Sequence, residues 1–316
     1  MLLAIAFVAY EAQSPGKDSG KPPANAASGG AGTPQASKLR PTSGAELGSR
    51  GKSGNRKPRP PRAELPDDPS QIKELTPELA KRVLAKFNGY FLDLTGLTTL
   101  DADTARILAE FKGKRLILSG LTTLDADTAK ALAEFNGRFL NLTGLATLDA
   151  NTAKALAEFK VSDLTLCLAT LDTDAAMALA EFKGANLYLA GLTTLDADTA
   201  KALAEYKGDY LTLFSLTTLD ANTALALAEF KVAGLGLDDL TTLDADTAKA
   251  LAEFKGTGLS LSGLTTLDAN TAKTLAEYKG ACLNLSGLNT LDADTAKALA
   301  ELVGIRKANN NATIQK

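Results

Sequence analysis

The residues best equipped for chemistry in this chain are carboxylates. Aspartates stand two apart at Asp101/Asp103, Asp125/Asp127, Asp196/Asp198 and further copies, a spacing that suits a hard cation such as calcium, which favours clustered carboxylate oxygens. In three copies Asn151, Asn222 and Asn270 replace the second Asp. A helix cap tolerates that exchange and a charged metal site does not, so capping accounts for these aspartates and no metal is assigned. General acid–base and triad catalysis usually enlist histidine, and the chain has none. Its carboxylates recur at one repeated position and do not converge as an isolated pair. An enzyme is therefore not expected, and no cofactor is implied. Cys167 and Cys282 fall on strands five copies apart, about 24 Å at about 4.8 Å per strand, which is too far for a disulfide.

The elements that position these residues are copies of one unit, Lys114 to Gly137. The Asp that opens its LDADTA segment recurs at Asp101, Asp125, Asp149, Asp172, Asp196, Asp220, Asp244, Asp268 and Asp292, in steps of 24 residues with a single step of 23. A period in this range marks a solenoid. The short step comes from a turn: Leu166-Cys167-Leu168 lacks the residue that Ser119-Gly120 supplies between Leu118 and Leu121. Leu116 and Leu118 alternate with Arg115, Ile117 and Ser119, the period of a short strand with one face buried. Gly120 breaks the strand, Leu121 and Leu124 continue the apolar lining, and Asp125 opens a helix as its N-cap. Ala129, Leu132, Ala133 and Phe135 then face inward while Lys130 and Glu134 face water. Gly137 is expected to end the helix as a left-handed residue. Val161 and Val232 occupy that position in two copies and predict different helix ends there. The large apolar side chains of one unit do not offset the ordering of its 24 residues, so stability must come from stacking.

The spacing Leu-x-Leu-x-x-Leu followed by a helix, carried by Leu116, Leu118, Leu121 and their counterparts over residues 90–304, resembles the leucine-rich-repeat superfamily. The resemblance implies an α/β solenoid with parallel short strands on one face and helices on the other. The chain departs from the family where an Asn or Cys ladder is expected, because Leu121, Leu145 and Leu192 stand there; Thr122 and Thr123 are expected to take over backbone hydrogen bonding in the bend.

Along the chain, residues 1–12 form an apolar N-terminus, with MLLAIAFVAY read as the remnant of a signal or membrane anchor or as a chance apolar start. On that basis the expected localisation is extracytoplasmic or membrane-anchored, with a cytoplasmic one as the alternative. Residues 13–70 read as a disordered Pro/Gly/Ser-rich linker. Its stretch 13–63 holds ten Lys/Arg against Asp18 and Glu46, whereas the whole chain has a formal net charge of −3. The run Arg50 to Arg62 is suited to contact with an anionic surface, but no interleaved aromatics equip it for specific nucleic-acid binding. Residues 71–89 predict an N-terminal capping helix opened by Thr76-Pro77-Glu78. The repeats fill 90–304, with Gly304 closing the last helix, and 305–316 reads as a polar tail with no dedicated C-terminal cap.

Comparison of the copies gives the functional expectation. The Leu columns hardly vary, whereas the outward mid-strand column reads Asp93, Ile117, Asn141, Thr165, Tyr188, Thr212, Gly236, Ser260 and Asn284. Selection for a partner and drift at exposed sites both produce such a column. Aromatics assigned to the outward face at Phe139, Tyr188, Tyr210 and Phe214 favour a partner, because exposed aromatic clusters anchor interfaces. The expected site comprises Phe139, Asn141, Asp163, Thr165, Tyr188, Tyr210, Thr212 and Phe214. The expected function is non-catalytic presentation of the strand face to a protein partner whose identity the sequence does not give. The alternatives are a structural or self-associating envelope component and a sensory or regulatory appendage of a larger protein.

Overall fold

A computed structural model describes residues 65–308 and 313–315, with side chains described through residue 300. The apolar N-terminus and the linker as far as residue 64 lie outside the described residues. The alternating leucines form strands β1 (Phe91–Asp93), β2 (Arg115–Ile117), β3 (Phe139–Leu142), β4 (Asp163–Cys167), β5 (Asn186–Ala190), β6 (Tyr210–Leu213), β7 (Gly234–Gly236), β8 (Gly258–Ser260) and β9 (Cys282–Asn284). They pair in parallel, in chain order, in one sheet. Helix α1 (Pro77–Lys86) precedes the strands, and α2 (Ala102–Leu108), α3 (Ala126–Leu132), α4 (Ala150–Ala157), α5 (Thr173–Ala180), α6 (Ala197–Leu203), α7 (Ala221–Ala228), α8 (Ala245–Ala252) and α9 (Ala269–Leu275) lie between them. The chain is an α/β repeat solenoid. Among the described residues, no helix is long and apolar enough to cross a membrane.

Register aligns the spine. Leu92, Leu116, Leu140, Leu164, Leu187, Leu211, Leu235, Leu259 and Leu283 pair strand to strand, and all are buried. Behind them runs a second buried column, in which Phe111 stacks on Phe135, Phe182 on Tyr206 and Phe254 on Tyr278 at ring separations of 6.2–6.3 Å. The two tyrosines satisfy their hydroxyls by donating to the Gly184 and Gly256 carbonyls at 2.9 and 2.8 Å. Small Ala residues on the inward helix faces, such as Ala129 and Ala153, are buried.

Each helix starts as expected. Asp125 Oδ1 accepts from Thr128 N at 2.8 Å, and the other opening aspartates repeat the contact. Where Asn replaces the second Asp, the cap accepts from that residue too, as from Asn151 N at 2.9 Å. The threonine three residues after the cap is buried in every copy that has it. In several copies its hydroxyl joins one coil to the last: Thr223 Oγ1 shares its proton between Asp220 Oδ2 at 2.8 Å and the Leu195 carbonyl at 3.3 Å. Thr152 shares its proton likewise between Asp149 Oδ2 and the Leu124 carbonyl, and the Thr247 and Thr295 hydroxyls donate to the Leu219 and Leu267 carbonyls. The expectation for Thr122 and Thr123 is corrected accordingly: both side chains are exposed, and only the Thr122 main-chain N–H reaches back, to the Thr98 carbonyl at 3.4 Å.

The glycines act differently from the expectation. Among the described residues the one positive-φ glycine is Gly191, at φ +86°. The chain at α3 closes right-handed at Ala133, φ −63°, followed by Phe135 N–H donating to the Leu132 carbonyl at 2.9 Å. At Gly137 the Phe135 ring folds over the residue, where an added Cβ would lie 2.0 Å from Cζ, whereas Val161 and Val232 stand at the same place after Phe159 and Phe230. The helices before Val161 and Val232 end like the others, at Glu158 (φ −80°) and Glu229 (φ −76°), compared with φ −76° at Glu181 ahead of Gly184. Gly120 ends its strand by close approach, since a Cβ there would sit 2.0 Å from the Thr95 carbonyl oxygen. Where the turn residue is missing, β4 continues to Cys167 and the Leu168 N–H donates to the Ala190 carbonyl at 2.8 Å.

The ends also differ from expectation. Before residue 71, Asp68 caps a short 3-10 turn, Pro69–Gln71, whose Ser70 carbonyl lies against Gly96. Thr76 caps α1 as expected, accepting from Leu79 N at 3.3 Å, and Ala80 and Val83 are buried beneath it. The final helix, α10 (Ala293–Ala308), runs through Gly304. Beyond it β10 (Thr313–Gln315) adds to β9 in parallel, so a stretch read as a polar tail supplies a further strand. The helix passes Gly304 because glycine weakens a helix by only about 1 kcal/mol and does not forbid it.

Candidate functional site

Three outward rows cross the sheet. Register sets the first as Arg115, Phe139, Asp163, Asn186, Tyr210, Gly234, Gly258 and Cys282, and the second as Ile117, Asn141, Thr165, Tyr188, Thr212, Gly236, Ser260 and Asn284. A third row, along the strand ends and turns, includes Thr143, Cys167, Ala190, Phe214 and Asp238.

The aromatic set divides. Tyr188 on β5 stacks with Phe214 from the end of β6, with ring centroids 6.1 Å apart and planes 17° from parallel. Phe214 is 37% exposed and Tyr210 47%. Tyr210 lies flat on the sheet: a Cβ added to Gly234 would be 2.3 Å from its Cδ1 and 2.4 Å from its Cε1. Phe139 stands in the outward row as expected but is only 6% exposed. The Arg115 guanidinium carbon lies 4.6 Å from its ring centroid, a cation–π contact that covers it, so Phe139 is not an exposed anchor.

Beside the aromatics, in the first row, is a polar network. Asp163, 8% exposed, accepts from Arg138 Nε at 3.3 Å and from Asn186 Nδ2 at very close range. Pairing with Arg138 and hydrogen bonding make its burial tolerable. Burial, and next the charge of Asp163, push the Tyr188 hydroxyl above the ordinary tyrosine range. Thr165, also 8% exposed, has its Oγ1 buried with no hydrogen-bond partner among the described residues. Asn141 is held in its own strand, where its Oδ1 accepts from Thr143 N at 2.9 Å and Thr143 Oγ1 at 2.8 Å. Thr212 is half-buried beside Tyr188. The structure thus brings Asp163, Thr165, Tyr188, Tyr210, Thr212 and Phe214 into one patch across β4–β6, with Phe139 and Asn141 on the flanking β3 and engaged locally.

Further along the face, the side chains shrink. Gly234 and Gly236 are buried beneath Tyr210 and Thr212, whereas Gly258 is half-buried and a Cβ on it would meet nothing nearer than Gly234 Cα at 4.0 Å. Asp238 accepts from Ser262 Oγ at 2.6 Å and from Ser260 Oγ. Asp239 beside it is held above the usual carboxylate range by burial first and by Asp238 second.

Sequence reasoning missed Asn186 and Arg138 as the partners of Asp163. It also missed two exposed apolar side chains on the opposite surface, Met177 and Leu225, each 52% exposed. Their signal was available: the helix column reads Arg106, Lys130, Lys154, Met177, Lys201, Leu225, Lys249, Lys273 and Lys297, so two apolar residues interrupt a basic row. Tyr90 and Phe91 are exposed at the first coil. Among the described residues no group of His, Cys, Asp and Glu could hold a metal ion, and Cys167 and Cys282 are free. No family model matches the chain, and no curated protein matches it.

Proposed function

We propose that the repeat stack is a non-catalytic protein-interaction module that presents its strand face, centred on Tyr188, Tyr210 and Phe214, to a protein partner. The leucine spacing that resembles the leucine-rich-repeat superfamily supports this, because the architecture keeps its spine constant and frees the outward column to vary. The observation that carries it is the aromatic patch itself. Two exposed rings and the half-buried Tyr188 sit together on adjacent strands, beside the buried Asp163 that accepts from Arg138 and Asn186. Rigid aromatic anchors on a preordered surface are what interfaces use. Capture of partners from a cell-envelope extract tests the proposal: Tyr188→Ala with Phe214→Ala is expected to abolish capture, and unchanged capture refutes the site.

A second reading, self-association, draws on Met177 and Leu225, which stand in an otherwise basic row of the helix surface. Sedimentation at high concentration tests it, and a persistent monomer contradicts it.

A further inference from the structure

We infer that the partner places a cationic side chain, arginine or lysine, of an extended peptide on the open side of Tyr210, next to Asp209. This rests on the proposed binding role of the strand face. One side of the Tyr210 ring is laid on Gly234, close enough that no Cβ fits there, yet the residue stays 47% exposed, so its other side faces solvent. An exposed aromatic face is a receptor for a cation, attracted to the negative centre of the ring.

The same row of the sheet already contains this contact. Arg115 sits over Phe139, its register neighbour, at 4.6 Å, and the covered ring is almost wholly buried. The register neighbours of Tyr210 are Asn186 and Gly234, neither of which is a cation. The covering group that a register neighbour supplies at Phe139 is supplied at Tyr210 by the partner.

Charge points the same way. The outward residues of β5 to β9 include no Lys or Arg, whereas Asp209 is exposed immediately before Tyr210, and Asp238 and Asp239 stand at the end of the next strand. A carboxylate next to an aromatic face favours a cation and repels an acidic partner. Bare backbone at Gly258, with open space where a side chain would project, gives the peptide's main chain room beyond the ring.

Fluorescence anisotropy of the full chain with a labelled Gly-Arg-Gly-Arg-Gly peptide tests this, using a citrulline-for-arginine version that keeps shape and removes charge. Tyr210→Ala and the citrulline peptide are each expected to raise Kd by about 5- to 30-fold, while Tyr210→Phe keeps affinity within about twofold. Asp209→Asn is expected to weaken binding and to flatten its salt dependence. Equal binding of the citrulline peptide, or no effect of Tyr210→Ala in a variant whose circular dichroism matches the parent, overturns the inference. If Tyr188→Ala with Phe214→Ala abolishes partner capture while the arginine peptide does not bind, the cationic class is wrong and the strand face stands; if that pair leaves capture unchanged, the strand face itself is refuted.

Discussion

Removing the Thr223 hydroxyl is expected to loosen the stack where it is joined. Thr223→Val keeps the shape of a buried side chain, deletes the proton shared between Asp220 Oδ2 and the Leu195 carbonyl, and leaves the Thr223 N–H bond to Asp220 Oδ1 in place. A hydrogen bond to a charged acceptor contributes about 1.5–3 kcal/mol, and threonine and valine have similar helix propensities, so a loss of about 1.5–3 kcal/mol is expected. In a domain of this size that lowers the thermal midpoint by about 3–10 °C. The loss also depends on pH. Thr223, through its main-chain bond first and its hydroxyl second, holds Asp220 below the usual carboxylate range. A depressed carboxylate contributes stability that is present above its unfolded value and is lost as pH falls through the folded value. The difference between parent and variant should therefore be full at pH 7 and shrink below about pH 4. The chain contains the reverse experiment. In α5 the equivalent position is Ala175, with its N–H still bonded to Asp172 Oδ1 at 2.8 Å, and Ala175→Thr is expected to add about 1 kcal/mol. Urea unfolding gives the totals, and amide hydrogen exchange should locate the change in α7 and its neighbours, because repeat stacks couple mainly to adjacent coils. A cost under about 0.5 kcal/mol for Thr223→Val, or one that stays the same at pH 3, refutes the hydroxyl junction.

Gly120→Ala should destabilise by about 2–4 kcal/mol because its Cβ would meet the Thr95 carbonyl at 2.0 Å, whereas Gly258→Ala, into open space, should cost less than about 0.5 kcal/mol; paired urea titrations check both. Asp149, Asp196, Asp220, Asp268 and Asp292 are all held below the usual carboxylate range by hydrogen bonds at their helix starts. The whole stack should therefore lose stability steeply as pH falls through those depressed values, and a midpoint independent of pH between about 5 and 2 would contradict the capping account. Asp163→Asn should bring the Tyr188 hydroxyl back toward its ordinary value, seen as tyrosinate absorbance rising at lower pH, because burial and Asp163 together hold it up.

The architecture was legible because one period carried it. Alternating leucines, an Asp cap and an Ala-rich helix repeat at fixed spacing, so every copy confirmed the others. Gly137 was misread because two physical demands select the same residue: positive φ leaves no more trace in sequence than the close approach of the Phe135 ring. Burial of Phe139 was missed because Arg115, one repeat earlier, supplies its cover, and cross-strand pairs follow register and not chain neighbourhood. The same blindness hid Asn186 and Arg138 around Asp163. Met177 and Leu225 are legible as breaks in an otherwise basic helix column. The strand β10 follows a polar segment with no leucine alternation, so nothing in its pattern distinguished it from a tail.

Partner capture by two matched pairs of variants tests the central claim most directly. Tyr188→Ala with Tyr210→Ala alters the strand face, and Met177→Lys with Leu225→Lys restores the basic row of the helix face, so the two exposed apolar sets are separated in one assay with folding checked by circular dichroism. Loss of capture with the strand pair and retention with the helix pair is the predicted result. Retention with the strand pair and loss with the helix pair would move the binding surface to the other side of the stack.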